Sequence, residues 1–409
     1  MTQPEPTPPT PSAEAESATE AAGRPDPSPE PRTVDVHLFA RTDVGQVREH
    51  NEDNFLVADL TQRSRGLLEA NRKCSVAGHG NLFAVCDGMG GAAAGEVASQ
   101  LAVDILYEKM VEGLTVDRNI ERNELARRLV RSVESAGLRI FQEAKADRTR
   151  RGMGTTVTAA ALVDEVLFLA QVGDSRGYIL REGQLVQVTR DQSLVNQLIE
   201  AGQLTEEEAE TFEHNNIILQ ALGTADTVQV DLTYVELRKG DVLLLCSDGL
   251  SGMVRFDEIR ETLMQFSEPL DACKALTERA NQAGGHDNIT VVIVKFDGEG
   301  LRELETEREP LKYRKYPLPE EMSEQTSPTR RIPSLAPTAS KSGPPAGSSI
   351  PSVSPGSSGW QELTPGGSPQ FDMDEPVDIP GTHVPTWIVV ALILGVVSAL
   401  SATAFLFLR

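Results

Sequence analysis

Residues 81–91 read Asn81-Leu82-Phe83-Ala84-Val85-Cys86-Asp87-Gly88-Met89-Gly90-Gly91. The apolar run 82–86 predicts a strand that is buried on both faces and ends at the carboxylate of Asp87. The three glycines that follow allow the backbone to pass close to whatever that carboxylate holds. An Asp-Gly pair between apolar runs is also typical of a β-hairpin, which is the structural alternative. The helical composition of residues 92–103 favours a turn from strand to helix instead.

The bulk composition limits the classes of function. The 409-residue chain has room for one large or two ordinary domains. Its 61 acidic and 38 basic residues give a net charge of −23, which argues against general nucleic-acid binding. The four cysteines lack the paired spacing of a zinc site, and Cys86 and Cys246 lie in apolar runs. Reduced thiols in a reducing compartment are the simplest interpretation.

Composition divides the chain into four parts. Residues 1–33 are rich in Pro, Ala, Ser, Thr and Glu, which predicts a disordered tail without a secretory signal. Residues 34–298 carry the strand and helix patterns of one folded domain. Residues 299–385 are first highly charged and then rich in Ser, Pro and Gly, which predicts a flexible linker.

The last part, residues 386–409, is apolar and uncharged up to its final residue. At ~1.5 Å per residue, such a helix covers the ~30 Å hydrocarbon layer of a bilayer. A buried core helix is the alternative, and the absence of a polar face argues against it. We therefore expect a single-pass protein of the cell membrane whose folded domain lies in the cytoplasm.

Two long helices are predicted within the folded domain. The first covers residues 95–109, and the second runs to about residue 145 with an amphipathic pattern. A hairpin is predicted around residues 181–184, and residues 191–216 form a polar, Glu-rich insertion. The apolar face of the second helix is predicted to contain Leu125, Leu129, Val133, Leu138 and Phe141.

Five acidic residues stand at the ends of predicted strands. Three of them follow a strand and two precede one; in chain order they are Asp53, Asp87, Asp174, Asp248 and Asp287. If neighbouring strands are antiparallel, the end of one and the start of the next lie at the same edge of a sheet. Like charges at such short range repel unless they are protonated, ion-paired or bound to cations.

The residues around these acids favour a metal site. Few Lys or Arg residues flank them and no Cys or His cluster accompanies them, so an all-oxygen ligand set for Mg²⁺ or Mn²⁺ is predicted. Two such ions sharing a carboxylate are suited to the hydrolysis of phosphate esters. Arg48 offers the forked donor that phosphate oxygens prefer. Taken singly, each acid is more typical of a turn and Arg48 of an exposed surface; the full set favours the metal site.

Six motifs surround these residues along the chain. They are Arg48-x-x-Asn51-Glu52-Asp53, Asp87-Gly88-Met89-Gly90-Gly91, Gly154-Thr155-Thr156, Gly173-Asp174-Ser175-Arg176, Ser247-Asp248-Gly249 and Gly285-x-Asp287-Asn288. With these motifs in the family's order, the sequence resembles the bacterial branch of the metal-dependent, type 2C (PPM) serine/threonine phosphatases over residues 34–297.

The resemblance implies an α+β fold, a four-layer α-β-β-α sandwich of two mainly antiparallel sheets flanked by helix pairs. It implies that Asp87 is catalytic and bridges two Mn²⁺ or Mg²⁺ ions, and that Arg48 binds the substrate phosphate. Asp248 and Asp287 would complete the site of the first ion, and Asp174 would help Asp248 to hold a third, weaker ion. The implied metal ligands are Glu52, Asp53, Asp87, the carbonyl of Gly88, Asp174, Asp248 and Asp287.

One position departs from the pattern of many eukaryotic relatives. They carry a histidine, proposed as general acid, where this chain has Met89. A metal-bound water is then the expected proton donor, with His50 and His286 as alternatives beside the ligand positions. Asn51, His50 and Asn288 are the expected supporting residues, and residues 191–216 match the flap beside the family's active site.

The predicted function is the metal-dependent hydrolysis of phosphoserine and phosphothreonine in proteins. In this hypothesis, a hydroxide between the two ions attacks the phosphate in line, and no phosphoenzyme forms. The protein would thereby reverse a Ser/Thr kinase in signalling. Its expected partners are phosphorylated proteins and the membrane, not nucleic acid. The alternatives are a pseudophosphatase that binds phosphoproteins at the membrane, and an enzyme that acts on a phosphodiester or nucleotide.

Overall fold

The computed structural model describes residues 33–67, 69–90, 94–115, 119–209, 212, 216–304 and 310–318. The chain divides into two compact units, Met1–Arg331 and Ile332–Arg409, and every described residue lies in the first.

The described strands are β1 (Asp35–Asp43), β2 (Asn54–Asp59), β3 (Ser64–Arg65), β4 (Lys73–Ser75), β5 (Asn81–Cys86), β6 (Gly88–Met89), β7 (Gly154–Thr155), β8 (Val157–Val163), β9 (Val166–Val172), β10 (Arg176–Arg181), β11 (Gln184–Gln187), β12 (Asp231–Glu236), β13 (Val242–Cys246), β14 (Ile289–Asp297) and β15 (Tyr313–Lys315). The described helices are α1 (Glu69–Arg72), α2 (Ala94–Val111), α3 (Arg122–Ala146), α4 (Leu194–Glu200), α5 (Glu206–Ala209), α6 (Asp248–Ser251), α7 (Phe256–Gln265) and α8 (Pro269–Gln282).

Two antiparallel sheets form the centre of the domain. One has six strands in the order β11-β10-β13-β14-β1-β4, and the other has seven in the order β15-β12-β9-β8-β5-β2-β3. Apolar residues from both sheets form one core between them, including Phe83 and Leu167 from the seven-stranded sheet and Leu245 and Phe296 from the six-stranded sheet. All four are fully buried, as expected for strands that are covered on both faces.

Helices cover the outer face of each sheet. Leu106 of α2 and Leu129 of α3 pack with Phe168 in a core on the seven-stranded sheet. Ile259 of α7 and Leu276 of α8 belong to a third core on the six-stranded sheet. The layers therefore run helix, sheet, sheet, helix, and the predicted α+β sandwich of antiparallel sheets is confirmed.

Strand β5 lies where residues 81–86 predicted a buried strand. It is buried at every position and is paired on both sides, with β2 and β8. The hairpin alternative is wrong, because Gly88 and Met89 pair with Thr155 and Gly154 rather than turning back onto β5. The chain then reaches α2, which begins at Ala94.

The predicted apolar face of α3 is partly wrong. Leu125, Leu129 and Val133 are buried as expected, but Leu138 is 43% exposed. At 3.6 residues per turn, position 138 lies about 140° around the helix from position 133, whereas positions 136 and 140 stay on the buried face. Ala136 and Ile140 accordingly fill that face.

The folded part of the chain extends into the predicted linker 299–385. Residues 313–315 form β15, which pairs antiparallel with β12 at the edge of the seven-stranded sheet. Tyr316 follows, and its ring packs edge-on against the rings of Phe168 at 4.9 Å and Tyr234 at 5.4 Å between centroids. The abundance of charged residues hid this short strand in the sequence, and the folded domain reaches beyond residue 298.

Two predicted segments fall outside this description. None of the helices in the described ranges is both long enough and apolar enough to cross a membrane. The predicted span 386–409 and the predicted tail up to residue 32 lie outside those ranges, so both stay predictions.

Tyr316→Ala is expected to lower the free energy of unfolding by about 2–3 kcal/mol, because it removes a partly buried ring from two aromatic partners. Tyr316→Phe should cost about 1 kcal/mol, through the lost hydrogen bond from its hydroxyl to Asn123. Tyr313→Ala, three residues earlier in β15 and 44% exposed, is the matched control and should change stability by less than ~0.5 kcal/mol. Urea unfolding measures all three, and equal losses for Tyr313 and Tyr316 would contradict the packing role.

Candidate functional site

The five predicted acids lie at one end of the two sheets. Asp53 precedes β2 and Asp87 follows β5, and the pairing of Asn54 with Cys86 makes these two acids neighbours. Asp248 and Asp287 lie beside β13 and β14 in the other sheet, where Cys246 pairs with Val291. The strand-end argument is therefore correct, and the site draws on both sheets.

Asp53 is held by hydroxyl groups from the opposite sheet. Its Oδ2 accepts hydrogen bonds from Ser247 Oγ and Thr290 Oγ1, each at 2.7 Å. Its Oδ1 is buried and has no hydrogen-bond partner. Burial, with the charges of Asp248 and Asp287, raises the pKa of Asp53 to about 7, although the two hydroxyl donors act in the opposite direction.

Asp87 and Asp248 face each other. Both residues are partly exposed, but their carboxyl groups are closely surrounded by protein atoms. Burial raises the pKa of Asp87, and the charges of Asp53 and Asp248 add to this effect. Burial and the charge of Asp287 likewise raise the pKa of Asp248, whose Oδ1 is buried without a hydrogen-bond partner.

Asp174 lies just beyond the end of β9 and completes the cluster. It is 9% exposed, and its Oδ1 also lacks a hydrogen-bond partner. Burial, with the charges of Asp248 and Asp191, raises the pKa of Asp174 to about 7. Asp191 itself is engaged by Arg176 Nε at 2.8 Å.

Arg48 and Asp287 form an ion pair at the mouth of the cluster. Arg48 Nη2 donates to Asp287 Oδ2 at 2.6 Å, and their side chains are 50% and 35% exposed. In the described part of the chain, no three acidic, His or Cys side chains converge closely enough to hold an ion in their present positions. Asp287, one of the implied ligands, contacts Arg48 instead.

Glu52 lies against the start of α2 and the glycines around it. Gly88 N donates to the Glu52 carbonyl at 3.2 Å, and the Gly95 backbone amide donates to the Glu52 carboxylate. Burial raises the pKa of Glu52 in spite of Arg48 and that amide. A Cβ at position 95 would lie 2.8 Å from the backbone carbonyl carbon of Gly88, and one at position 88 would lie 2.4 Å from the Glu52 carbonyl oxygen. Both positions therefore require glycine.

The predicted supporting residues differ in what they contact. Asn288 is buried, accepts from Glu52 N at 2.8 Å, and donates to the carbonyls of Val44 and His50 at 2.9 Å. It therefore fixes the loop that carries Arg48 and Glu52. Asn51 accepts from Asp53 N at 3.1 Å and shapes the same turn. The side chain of His50 is exposed. Among the described residues, its imidazole forms no hydrogen bond with the acids of the cluster.

Several contributors were not predicted. Ser247 and Thr290 hold Asp53, and Thr156 accepts from Asp87 N at 3.0 Å. Thr155 Oγ1 donates to the Asp87 carbonyl at 2.8 Å. Ser247 and Thr156 belong to motifs that the sequence did display, so their position beside an acid was the available signal.

The cluster fits divalent cations. Three of its carboxylate oxygens, on Asp53, Asp174 and Asp248, are buried and accept no hydrogen bond from the protein. A buried acceptor without a donor is costly, and a cation is the partner that satisfies several of them at once. The donors are all oxygens, the set that Mg²⁺ and Mn²⁺ prefer.

Comparison with known proteins agrees with this geometry. A protein phosphatase 2C family model matches residues 70–283. The chain is 36% identical over 262 residues to the serine/threonine phosphatase stp of Listeria monocytogenes, covering 64% of this chain and 96% of that protein. It is 41% identical over 239 residues to the serine/threonine protein phosphatase PstP of Mycobacterium tuberculosis, covering 58% of this chain and 45% of that protein.

Solved structures give the same result. The catalytic domain of PstP in complex with two manganese ions has a TM-score of 0.53 and 36% identity, over 65% of this chain and 100% of that domain. The S. agalactiae serine/threonine phosphatase has a TM-score of 0.56 and 36% identity, over 63% of this chain and 98% of that one. The chain belongs to the protein phosphatase 2C family, and the relatives that it resembles are bacterial serine/threonine phosphatases. The predicted cofactor class, Mn²⁺ or Mg²⁺, is confirmed for the family by the manganese-bound domain.

In the presence of a chelator, Asp53→Asn is expected to become more stable than the wild-type protein as the pH rises. The folded-state pKa of Asp53 is about 7, above its ordinary 3.8. The protonated carboxyl of Asp53 therefore contributes its full share to the free energy of unfolding below about pH 4. This contribution is lost as the pH rises through 7, by at most about 1.4 kcal/mol per pH unit. Asparagine keeps an oxygen for Ser247 and Thr290 and adds no charge.

Urea unfolding between about pH 5 and about pH 8 measures this difference. Asp104→Asn, at a partly exposed acid of α2 that pairs with Arg65 outside the cluster, is the control and should follow the wild-type profile. Parallel profiles for wild type and Asp53→Asn would contradict the account of the cluster. At the higher pH, Mn²⁺ should stabilise the wild-type protein more than Asp53→Asn, because a deprotonated carboxylate is the form that binds a cation.

Proposed function

We propose that this protein hydrolyses phosphoserine and phosphothreonine in proteins, with two divalent ions held by the acid cluster and without a phosphoenzyme. The observation that carries the proposal is the set of buried carboxylate oxygens without donors on Asp53, Asp174 and Asp248. When bound, the ions lower the pKa of the attacking water and neutralise charge on the phosphoryl group.

The chain's own residues divide the remaining work. The charges of acids from both sheets, Asp53 and Asp248 among them, act on Asp87, and we therefore assign its carboxylate as the one that the two ions would share. Asp248 and Asp287 would serve one ion, and Glu52 and Asp53 the other. Asp174 would help Asp248 with a third.

Arg48 is the proposed ligand of the substrate phosphate. It is half exposed at the mouth of the cluster, and its guanidinium bonds Asp287. An ion bound at Asp287 would compete with this ion pair, and a released guanidinium is available to a phosphate through two parallel hydrogen bonds. Met89 cannot donate a proton, and among the described residues the exposed imidazole of His50 is not held beside the acids. We therefore assign proton donation to water.

Asp87→Asn is expected to reduce kcat/KM for a phosphopeptide and for a simple aryl phosphate by at least about 100-fold, since it removes the shared ligand. Activity should require Mn²⁺ or Mg²⁺ and disappear in chelator. Asp104→Asn is the matched control and should retain wild-type activity. Equal activity in chelator, or in Asp87→Asn, would overturn the proposal. Metal binding without phosphate release would favour a pseudophosphatase, and faster hydrolysis of an aryl phosphodiester would favour a diesterase.

We further propose that residues 386–409 anchor the protein in the cell membrane, with the catalytic domain in the cytoplasm, where it reverses a Ser/Thr kinase. The support is the uncharged apolar run up to Arg409 and its length. The full chain is expected to sediment with membranes and resist high-salt extraction, whereas a chain ending at residue 385 should remain in the supernatant. Protease added to intact cells should leave the domain uncut. A full chain that stays in the supernatant, or a domain cut from outside, would contradict this topology.

A further inference from the structure

Exposed apolar side chains are concentrated beside the acid cluster. Among the described residues, the large apolar side chains with high exposure are Val44, Val47, Leu138, Ile217, Leu219, Phe256, Met264 and Tyr313. Four of these eight lie on the two loops that adjoin the cluster. We call Val44, Val47, Ile217 and Leu219 the aliphatic rim.

Val44 and Val47 lie on the loop that leads to Arg48. The carbonyl of Val44 accepts from Asn288 Nδ2 at 2.9 Å, and Gln46 N donates to the Gly285 carbonyl at 2.8 Å. Gly45 has a φ of +80°, and a Cβ there would lie 2.3 Å from the Asp287 carbonyl oxygen. The loop is thus pressed against the segment that carries Asp287, and Val47, which is 61% exposed, directly precedes Arg48.

Ile217 and Leu219 lie on the other side, next to Asp174. Leu219 N donates to the Gln192 carbonyl at 2.8 Å, and Gln192 N donates to the carbonyl of Gly173 at 2.8 Å. Gly173 N in turn donates to Gln192 Oε1 at 3.0 Å. These bonds connect Leu219, which is 50% exposed, to the residue that precedes Asp174.

The acid cluster is unsuited to an acidic substrate segment. The cluster is acidic and the chain carries a net charge of −23, so acidic side chains beside a phosphorylated residue would be repelled. Aliphatic side chains carry no such penalty and would be removed from water against the rim. An extended peptide rises ~3.3 Å per residue and alternates its side chains between two faces, so the residues two positions before and after the phosphorylated one share its face and can reach the two loops.

We propose that the aliphatic rim binds the residues that flank phosphoserine or phosphothreonine, and that it selects phosphoprotein segments with aliphatic side chains on both sides. The inference rests on the proposed phosphatase activity. Val47 and Val44 contact the side chain on the Arg48 side, and Ile217 and Leu219 contact the side chain on the Asp174 side.

The test compares two phosphothreonine peptides that differ only in their flanking residues, leucine in one and serine in the other. The wild-type protein is expected to prefer the leucine peptide in kcat/KM by about 10-fold or more. Val47→Ser and Leu219→Ser should each reduce that preference several-fold, mainly by raising KM for the leucine peptide. Met264→Ser and Leu138→Ser, at side chains of 58% and 43% exposure away from the cluster, are matched controls and should keep the full preference.

Fluorescence polarisation of the labelled leucine peptide gives a readout that does not need turnover. Weaker binding by Val47→Ser and Leu219→Ser than by the two controls would support the aliphatic rim, whether or not the wild-type protein releases phosphate. A wild-type protein that binds the peptide but releases no phosphate would count against the proposed function alone. Equal kcat/KM of the wild-type protein for the two peptides would overturn the proposal for the aliphatic rim, as would an equal loss of preference in the rim and control variants. Hydrolysis of an aryl phosphate would still support the proposed function in either case.

Discussion

The repulsion among buried carboxylates is the constraint on which the whole site depends. Burial and the charges of their neighbours raise the pKa of Asp53, Asp87, Asp174 and Asp248. At an effective dielectric constant of 20, two unit charges 4 Å apart repel by about 4 kcal/mol. A fold that keeps such a set together near neutral pH needs protons or cations among the acids. The cost of the cluster in the metal-free protein is therefore also the source of its affinity for divalent ions.

The two sheets hold the acids together against this repulsion. Asp53 comes from the seven-stranded sheet, but the hydroxyls that bind its Oδ2 belong to Ser247 and Thr290 of the six-stranded sheet. The same sandwich core that buries the strands thus sets the distance between the two groups of acids. Asn288 adds a second connection, because its side chain fixes the loop that carries Arg48 and Glu52. The aliphatic rim lies on loops that are fastened to this framework.

The sequence was sufficient for the position of the acids and insufficient for their environment. Strands such as β5 are locally encoded by apolar runs, and antiparallel pairing brings their ends to one edge, so the cluster could be predicted. The Arg48–Asp287 ion pair joins residues 239 positions apart, and no local pattern marks it. The hydroxyl of Thr290 looks like any strand threonine until its partner is known. Leu138 was assigned to the buried face of α3 because it is apolar, but its position in the 3.6-residue period lies outside that face. Strand β15 was missed because its residues are mostly charged, which is not the usual pattern of a strand.

The central claim is that the acids of both sheets enclose a pair of divalent ions. Anomalous diffraction from crystals of the protein grown with Mn²⁺ tests it directly, because the signal locates the metal independently of any activity. The account predicts two manganese peaks within the cluster, with Asp87 contacting both. A map in which manganese is absent from the space among Asp53, Asp87, Asp248 and Asp287 would contradict it.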